Sequence, residues 1–320
     1  MSFFKFNIFL FFITVFFVEV FLQYGWIYVL KKRHISQHIK KYGPTRHLEE
    51  KINTPTMGGV VFLVVFAGTG VVLKQFFQEI PAVIFLFPLG MGAIGFIDDW
   101  LKYSSRSSEG FKSRQKFLAQ VFFCFLWIFL VYEYGEQAYI FVPFSRIADV
   151  GVTLFLGVGI VNAVNITDGL DGLAALCSLC SFSVLSAFSL FYGEIPSFLL
   201  AFSGSAISLA FLWHNGYPAS VFMGDVGSHF LGGLLFGACV FYVNPWILLP
   251  LSSIFALEIF SVILQLGAIY GFHRKLFAMS PLHHHFELKG MSETHIVARF
   301  AMLHIVSMAL FFALFQNFVL

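Results

Sequence analysis

Apolar runs recur along the chain, each close to the about 20 residues that cross a hydrocarbon core as a helix. They cover Asn7 to Leu30, Met57 to Leu73, Ala82 to Ile97, Phe117 to Tyr132, Ile147 to Val164, Leu173 to Tyr192, Ser197 to Leu212, Ser228 to Val243, Trp246 to Tyr270 and Val297 to Phe318. Short polar stretches separate them. The pattern predicts an all-α, polytopic integral membrane protein with about ten transmembrane helices. No soluble domain, repeat or low-complexity linker interrupts it, so residues 1–320 read as a single transmembrane domain with loops. The first run is longer than the about 7 to 15 apolar residues of a cleavable signal, and only Lys5 precedes it. That segment is expected to remain in the mature protein.

Composition agrees with the lipid reading: 58% of the 320 residues are hydrophobic and 11% charged, against about 45 to 50% and about 25% in soluble domains. The 45 phenylalanines are spread through lipid-compatible stretches and point to no function.

The net charge of +2 conceals an asymmetry. Lysine and arginine crowd after the first run (Lys31, Lys32, Arg33, Lys40, Lys41, Arg46, Lys51), the third (Lys102, Arg106, Lys112, Arg114, Lys116) and the ninth (Arg274, Lys275, Lys289, Arg299). Only Lys5, Lys74 and Arg146 fall elsewhere. By the positive-inside rule the odd-numbered connections are cytoplasmic and both termini extracytoplasmic.

Three motif matches fail on context. Gly90-Met-Gly92-Ala-Ile-Gly95 has the G-x-G-x-x-G spacing of dinucleotide sites, but it lies inside an apolar run with no strand before it. Small residues so spaced let membrane helices approach closely. Asn165-Ile-Thr167 has the form of a glycosylation acceptor on the wrong side of the membrane. Cys177 and Cys180 have redox spacing, but with Cys124 and Cys239 they fall inside spans, where thiols are inert packing.

The chemistry gathers by parity. Asp98 and Asp99 end the third run, Asp168 and Asp171 join the fifth to the sixth, and Asp225 lies between the seventh and eighth. His283, His284 and His285 follow the ninth, and Lys51 with Thr54-Pro55-Thr56-Met57-Gly58-Gly59 follows the first. Five odd-numbered connections therefore supply one cytoplasmic face. Carboxylates beside a bilayer are costly unless solvated, paired or bound to a cation. Hard oxygen ligands favour Mg²⁺, which takes one or two carboxylates and completes its shell with water and phosphates.

Plainer readings stand beside each element. Asp98 and Asp99 precede Lys102 by four and three residues, the spacing of surface ion pairs. Asp168 suits a helix cap, which leaves Asp171 unexplained, and Asp225 between glycines suits a turn. The histidines read as a phosphate contact, a solvated loop or a metal site; three consecutive side chains converge poorly on one tetrahedral ion. Pro281 and Phe286 around them suggest a constrained loop. Glu19 and Glu258, alone among the carboxylates well inside spans, stay undecided; with Pro250 before it, Glu258 also fits a bend in the ninth span.

TPTMGG (Thr54 to Gly59), DDWLK (Asp98 to Lys102), NITDGLDGLA (Asn165 to Ala174), VFMGD (Val221 to Asp225) and PLHHHFELKG (Pro281 to Gly290) occur in that order. Together they resemble the phospho-N-acetylmuramoyl-pentapeptide transferase (MraY) family, within the polyprenyl-phosphate N-acetylhexosamine-1-phosphate transferases. The resemblance spans essentially the whole chain. It implies UDP-N-acetylmuramoyl-pentapeptide and undecaprenyl phosphate as substrates, lipid I and UMP as products, Mg²⁺ as cofactor and the bacterial cytoplasmic membrane as location. It implies metal ligation by Asp225 with Asp98 and Asp99, and catalytic roles for Asp98, Asp99, Asp225 and His283. Substrate contacts fall to Lys51, Thr56, Lys102, Asn165, Asp168, Asp171, Asn215, Phe222, His284 and His285, with Lys51, Asp168, Asp171 and a stacking Phe222 at the uridine.

A homodimer is suggested by relatives, and no nucleic-acid partner is expected. Two positions depart from the family pattern: Val226 stands where a hydroxyl residue is usual, and His214 where an aromatic residue is usual. The rivals are a sister enzyme using UDP-N-acetylglucosamine, against which the histidine triplet argues, and a transporter, whose ionisable residues belong near the bilayer midplane.

Overall fold

A computed structural model describes residues 7–36, 51, 53–105, 110–134 and 138–319. Lys5, Lys40, Lys41, Arg46 and Arg106 lie outside the described residues. In order, the helices are α1 (Ile8–Lys32), α2 (Val60–Phe76), α3 (Val83–Ser105), α4 (Ser113–Tyr134), α5 (Arg146–Thr167) and α6 (Leu173–Tyr192). They continue as α7 (Ile195–Asn215), α8 (Gly224–Val240), α9 (Leu248–Leu251), α10 (Ser253–Phe272), α11 (Leu282–Leu288) and α12 (Glu293–Val319). Among the described residues, eight of these are long and apolar enough to cross a membrane. With α2 and α8, each 17 residues long, every apolar run of the sequence falls on a helix.

The ninth run is broken: a 3-10 turn at Pro245–Ile247 leads into α9, and the chain restarts as α10 after Ser252. Pro250 sits just before the break, where it removes a helix donor.

Buried positions show what each helix faces. On α1 they form one narrow stripe, Phe11, Val15, Glu19, Gln23, Ile27 and Leu30, while Phe9, Phe17, Phe21 and Tyr28 are exposed on a lipid-compatible surface. On α8 every residue from Val226 to Val240 is buried. Helix α8 is therefore the hub, wrapped by α3, α5 and α7.

Lipid tails are as apolar as leucine, so helices associate in a membrane by close packing rather than by expulsion from water. Glycine permits that packing here. A Cβ on Gly232 would collide with the backbone of Val161, one on Gly90 with the Phe123 ring, and one on Gly92 with Leu63. A Cβ on Gly95 would run into the Asp225 carbonyl. The Gly90, Gly92 and Gly95 spacing is thus a packing surface. It also sets the level at which the carboxyl end of α3 meets the start of α8. Cys124, Cys177 and Cys239 are buried and Cys180 half-buried, all as free thiols.

Candidate active site

One turn beyond Gly95, α3 carries Asp98 and Asp99, and one turn further Lys102. Because Gly95 lies against the Asp225 carbonyl, both carboxylates arrive beside the first turn of α8. One ligand oxygen from each of Asp98, Asp99 and Asp225 lies within 4.8 Å of the others.

Lysines hold this crowd together. Lys102 Nζ lies 2.8 Å from Asp98, 3.3 Å from Asp99 and 2.6 Å from Asp225. Local i+3 and i+4 pairs therefore do form, but the shortest contact reaches 123 positions along the chain, which helix spacing alone does not explain. Lys116, from α4, adds contacts at 2.7 Å to Asp225 and 3.4 Å to Asp98. Three carboxyl groups thus share two ammonium groups, so acidic groups outnumber basic ones by one.

Backbone and amide donors fix the carboxylates further. The Phe111 amide donates to Asp98 at 2.6 Å and the Val226 amide to Asp99 at 3.1 Å. The second bond belongs to the main chain, so it survives whatever side chain occupies position 226. From α5, Asn165 donates to Asp225 at 2.8 Å and to the Ser228 hydroxyl at 2.9 Å. Gly224 adopts a left-handed conformation (φ 72°) and abuts the Thr56 hydroxyl and Asp99. A Cβ there would be strained and crowded.

A second knot lies around Lys51. Its ammonium is 2.6 Å from both Asp171 and Glu293, and 5.8 Å from the centre of the half-buried Phe222 ring. Asp171 also accepts from the Ala219 amide at 2.9 Å. Burial alone would lower the Lys51 pKa, but the charges and hydrogen bonds of Asp171 and Glu293 hold it above its ordinary value. Asn215 ties the loops, accepting from the Gly172 amide at 3.0 Å and donating to the Val221 carbonyl at 2.8 Å.

Asp168 stands between the two groups. Burial, then the like charges of Asp225, Asp99 and Asp171, push its carboxyl well above the usual range, with Lys51 opposing. It ends α5, while α6 starts from Gly172 without a side-chain cap; the helix-cap reading is not what forms.

The histidine triplet lies on a short helix, α11, where the sequence suggests a constrained loop. Glu258 is the reason: fully buried on α10, it accepts from the Leu282 amide at 2.7 Å and the His283 amide at 3.2 Å. Two of the unpaired amides at the start of α11 are thereby satisfied. His283 is buried, its Nδ1 3.3 Å from Glu258 and its Nε2 packed against Gly169, next to Asp168. His284 Nδ1 lies 3.0 Å from Glu287, and His285 Nδ1 accepts from the Ala278 amide at 3.0 Å.

Three participants are not singled out by the sequence pattern. Lys116 reads there only as a topological charge. Glu293 lies in the same odd-numbered connection as the histidines, a signal that parity alone supplies. Glu258 fits two roles in the sequence, and the structure makes it the cap of α11.

Comparison with known proteins agrees with the geometry. The glycosyl transferase family 4 pattern matches residues 81–243, and the phospho-N-acetylmuramoyl-pentapeptide-transferase signature 1 matches residues 51–63. The chain is 37% identical over 289 residues to the phospho-N-acetylmuramoyl-pentapeptide-transferase of Desulforamulus reducens, covering 86% of each chain. It is 36% identical over 300 residues to that of Carboxydothermus hydrogenoformans, covering 88% and 89%. Against the Staphylococcus aureus protein of that name identity is 35% over 291 residues, covering 87% and 90%. A chain this similar along most of its length, with the signature ending at the start of α2 and the family pattern spanning the carboxylate cluster, belongs to the phospho-N-acetylmuramoyl-pentapeptide transferase family.

Proposed function

We propose that this chain transfers phospho-N-acetylmuramoyl-pentapeptide from its UDP carrier to undecaprenyl phosphate, releasing UMP and leaving lipid I in the bacterial cytoplasmic membrane. The reaction depends on Mg²⁺. The observation that carries this reading is the meeting of Asp98, Asp99 and Asp225 from two helices remote in sequence, with ligand oxygens within 4.8 Å. An all-oxygen donor set in which carboxyl groups outnumber lysines fits a hard divalent cation. Asp225, with Asp98 and Asp99, would hold the ion. Bound there, it would neutralise the diphosphate and the departing UMP.

The protein's own groups do the rest. A phosphate monoester has its second pKa near ~6 and is mostly dianionic at pH 7, so the lipid phosphate attacks the sugar-linked phosphorus directly. The bond from that phosphorus to the bridging oxygen breaks, and UMP leaves. Asp98 positions the nucleophile and takes any residual proton. Lys102 and Lys116, which now bridge the carboxylates, exchange part of that contact for substrate phosphate oxygens. His283 supports the phosphate end from beside Asp168, with His284 and His285 on the same short helix. Lys51, Asp168, Asp171 and Phe222 receive the uridine, and Thr56, Asn165 and Asn215 hold the surrounding loops and polar groups in register. Nucleotide sugar supplied without acceptor leaves no phosphorylated Asp98; trapping one would establish a two-step route instead.

Parallel assays with UDP-N-acetylmuramoyl-pentapeptide and UDP-N-acetylglucosamine test the substrate assignment. Release of UMP from the muramoyl substrate is expected. Turnover of UDP-N-acetylglucosamine alone would move the chain to the sister activity.

A further inference from the structure

Two of the six buried positions on α1 are polar, Glu19 and Gln23. Inside a membrane a polar side chain on a helix is costly unless another group satisfies it. With the Gln23 amide nitrogen turned toward its acceptors, it donates to the Gly58 carbonyl at 3.1 Å and to the Glu19 carboxyl at 3.3 Å. Three residues along, the Trp26 indole donates to the Met57 carbonyl at 2.9 Å. Two neighbours on one helix face thus grip consecutive carbonyls of the loop that follows the first span.

That loop needs holding. Met57 stands at φ 71°, a left-handed conformation that residues other than glycine adopt only when their surroundings impose it. The amides of the same segment face the other way. Gly58 donates to the Phe222 carbonyl and Gly59 to the Met223 carbonyl, both at 2.9 Å, while the Phe222 amide donates to Pro55 at 2.8 Å. The backbone of Phe222 is therefore pinned on both sides by residues 55 to 58, and residues 57 and 58 are pinned by α1. A third tie runs from α1 to the same region: the Val20 carbonyl lies 3.1 Å from His214 Nε2, one residue before the Asn215 that holds Val221. The carboxylate cluster takes its side chains from α3, α4, α5 and α8, and the same loop meets it only at its edge, through Thr56 beside Gly224 and Gly59 on the Met223 carbonyl.

We infer that Gln23 and Trp26 are positioning residues for the nucleotide end of the substrate, acting through the 55–59 loop on Phe222. The inference rests on Phe222 being the surface on which the uracil stacks. It separates two functions along the chain: α1 governs affinity for the nucleotide, and the central helices govern chemistry.

The test uses the full-length protein in detergent, with the Gln23→Leu and Trp26→Phe variants. UMP affinity is measured calorimetrically, and steady-state rates are measured against both substrates. Losing one hydrogen bond that orders the platform is expected to weaken UMP binding about 3- to 10-fold in each variant. The nucleotide-sugar KM should rise by a similar factor with kcat held within about twofold. The KM for the lipid phosphate should not move. Trp26→Phe keeps the ring and removes only the donor, so it carries the test if Gln23→Leu misfolds. Unchanged UMP affinity in folded Trp26→Phe, or a loss of kcat at constant affinity, would overturn the inference. Phe222→Ala, measured alongside, separates the claims. If it leaves UMP affinity unchanged, the stacking role fails and this inference falls with it. If it weakens binding while the α1 variants do not, only the α1 assignment falls.

Discussion

Helix α5 carries a polar anchor near each end, and the two ends treat carboxylates in opposite ways. In its first turn Asp149 is fully buried and accepts from the Tyr132 hydroxyl at 2.7 Å and from the Ile140, Phe141 and Val142 amides at 2.7, 2.6 and 2.9 Å. All four donors are neutral, and none is more than 17 positions away along the chain. Near the other end, about 24 Å off by helix rise, Asn165 meets Asp225, whose lysine partners lie 109 and 123 positions distant. Asp225 shares its space with two further carboxylates. A carboxylate satisfied by neighbouring amides has little left to offer a ligand. One crowded by like charges, and held by lysines from separate helices, carries an electrostatic cost that folding alone does not require. The first is a clip that shapes a loop; the second is a site.

Substitutions can break or sharpen this contrast. Asp225→Asn removes one of the two anions that Lys102 and Lys116 share, the one both lysines approach most closely. Turnover should fall by about 1,000-fold or more, while the fold is retained, because Lys102 and Lys116 keep Asp98 as a partner. Substantial UMP release at ordinary Mg²⁺ would remove Asp225 from the site. Next in size, Phe222→Ala should raise the nucleotide-sugar KM about 5- to 150-fold, the range of aromatic-base stacking. An unaltered KM would count against stacking.

Glu258→Gln leaves one carbonyl oxygen where two carboxylate oxygens now cap α11. A fall in kcat of about 10-fold is expected as His283 loosens, with nucleotide affinity preserved. Equal loss of UMP binding would mean that Glu258 supports the whole fold instead. Asp149→Asn has the smallest effect on chemistry. It should cost about 2 kcal/mol of stability by stranding buried amides, yet turnover per folded molecule should match the parent. A folded but inactive Asp149→Asn protein would erase the distinction between clip and site.

Much of this architecture was legible because a span announces itself by length. All ten apolar runs became helices, and parity placed Asp98, Asp99, Asp168, Asp171 and Asp225 in connections that meet. Boundaries were less legible. Helix α3 continues past Ile97 to Ser105, and α12 starts at Glu293 rather than Val297, since a helix can run beyond its apolar core on charged turns. The helix at His283 was invisible from local sequence, because its cap comes from Glu258, 24 and 25 positions earlier. Lys116 carries only a topological signal in the sequence, because its partner Asp225 lies 109 positions away. Gln23 gave no charge signal; its spacing of four from Glu19, on one helix face, was the available clue.

The central claim is that distant connections meet to hold a divalent cation against a diphosphate. A magnesium titration of purified protein in detergent tests it most directly, following UMP release from the muramoyl substrate with a polyprenyl phosphate acceptor. No turnover in excess chelator, restored saturably by Mg²⁺ in the parent and not in Asp225→Asn, is the expected result. Full turnover with every divalent cation sequestered would contradict it.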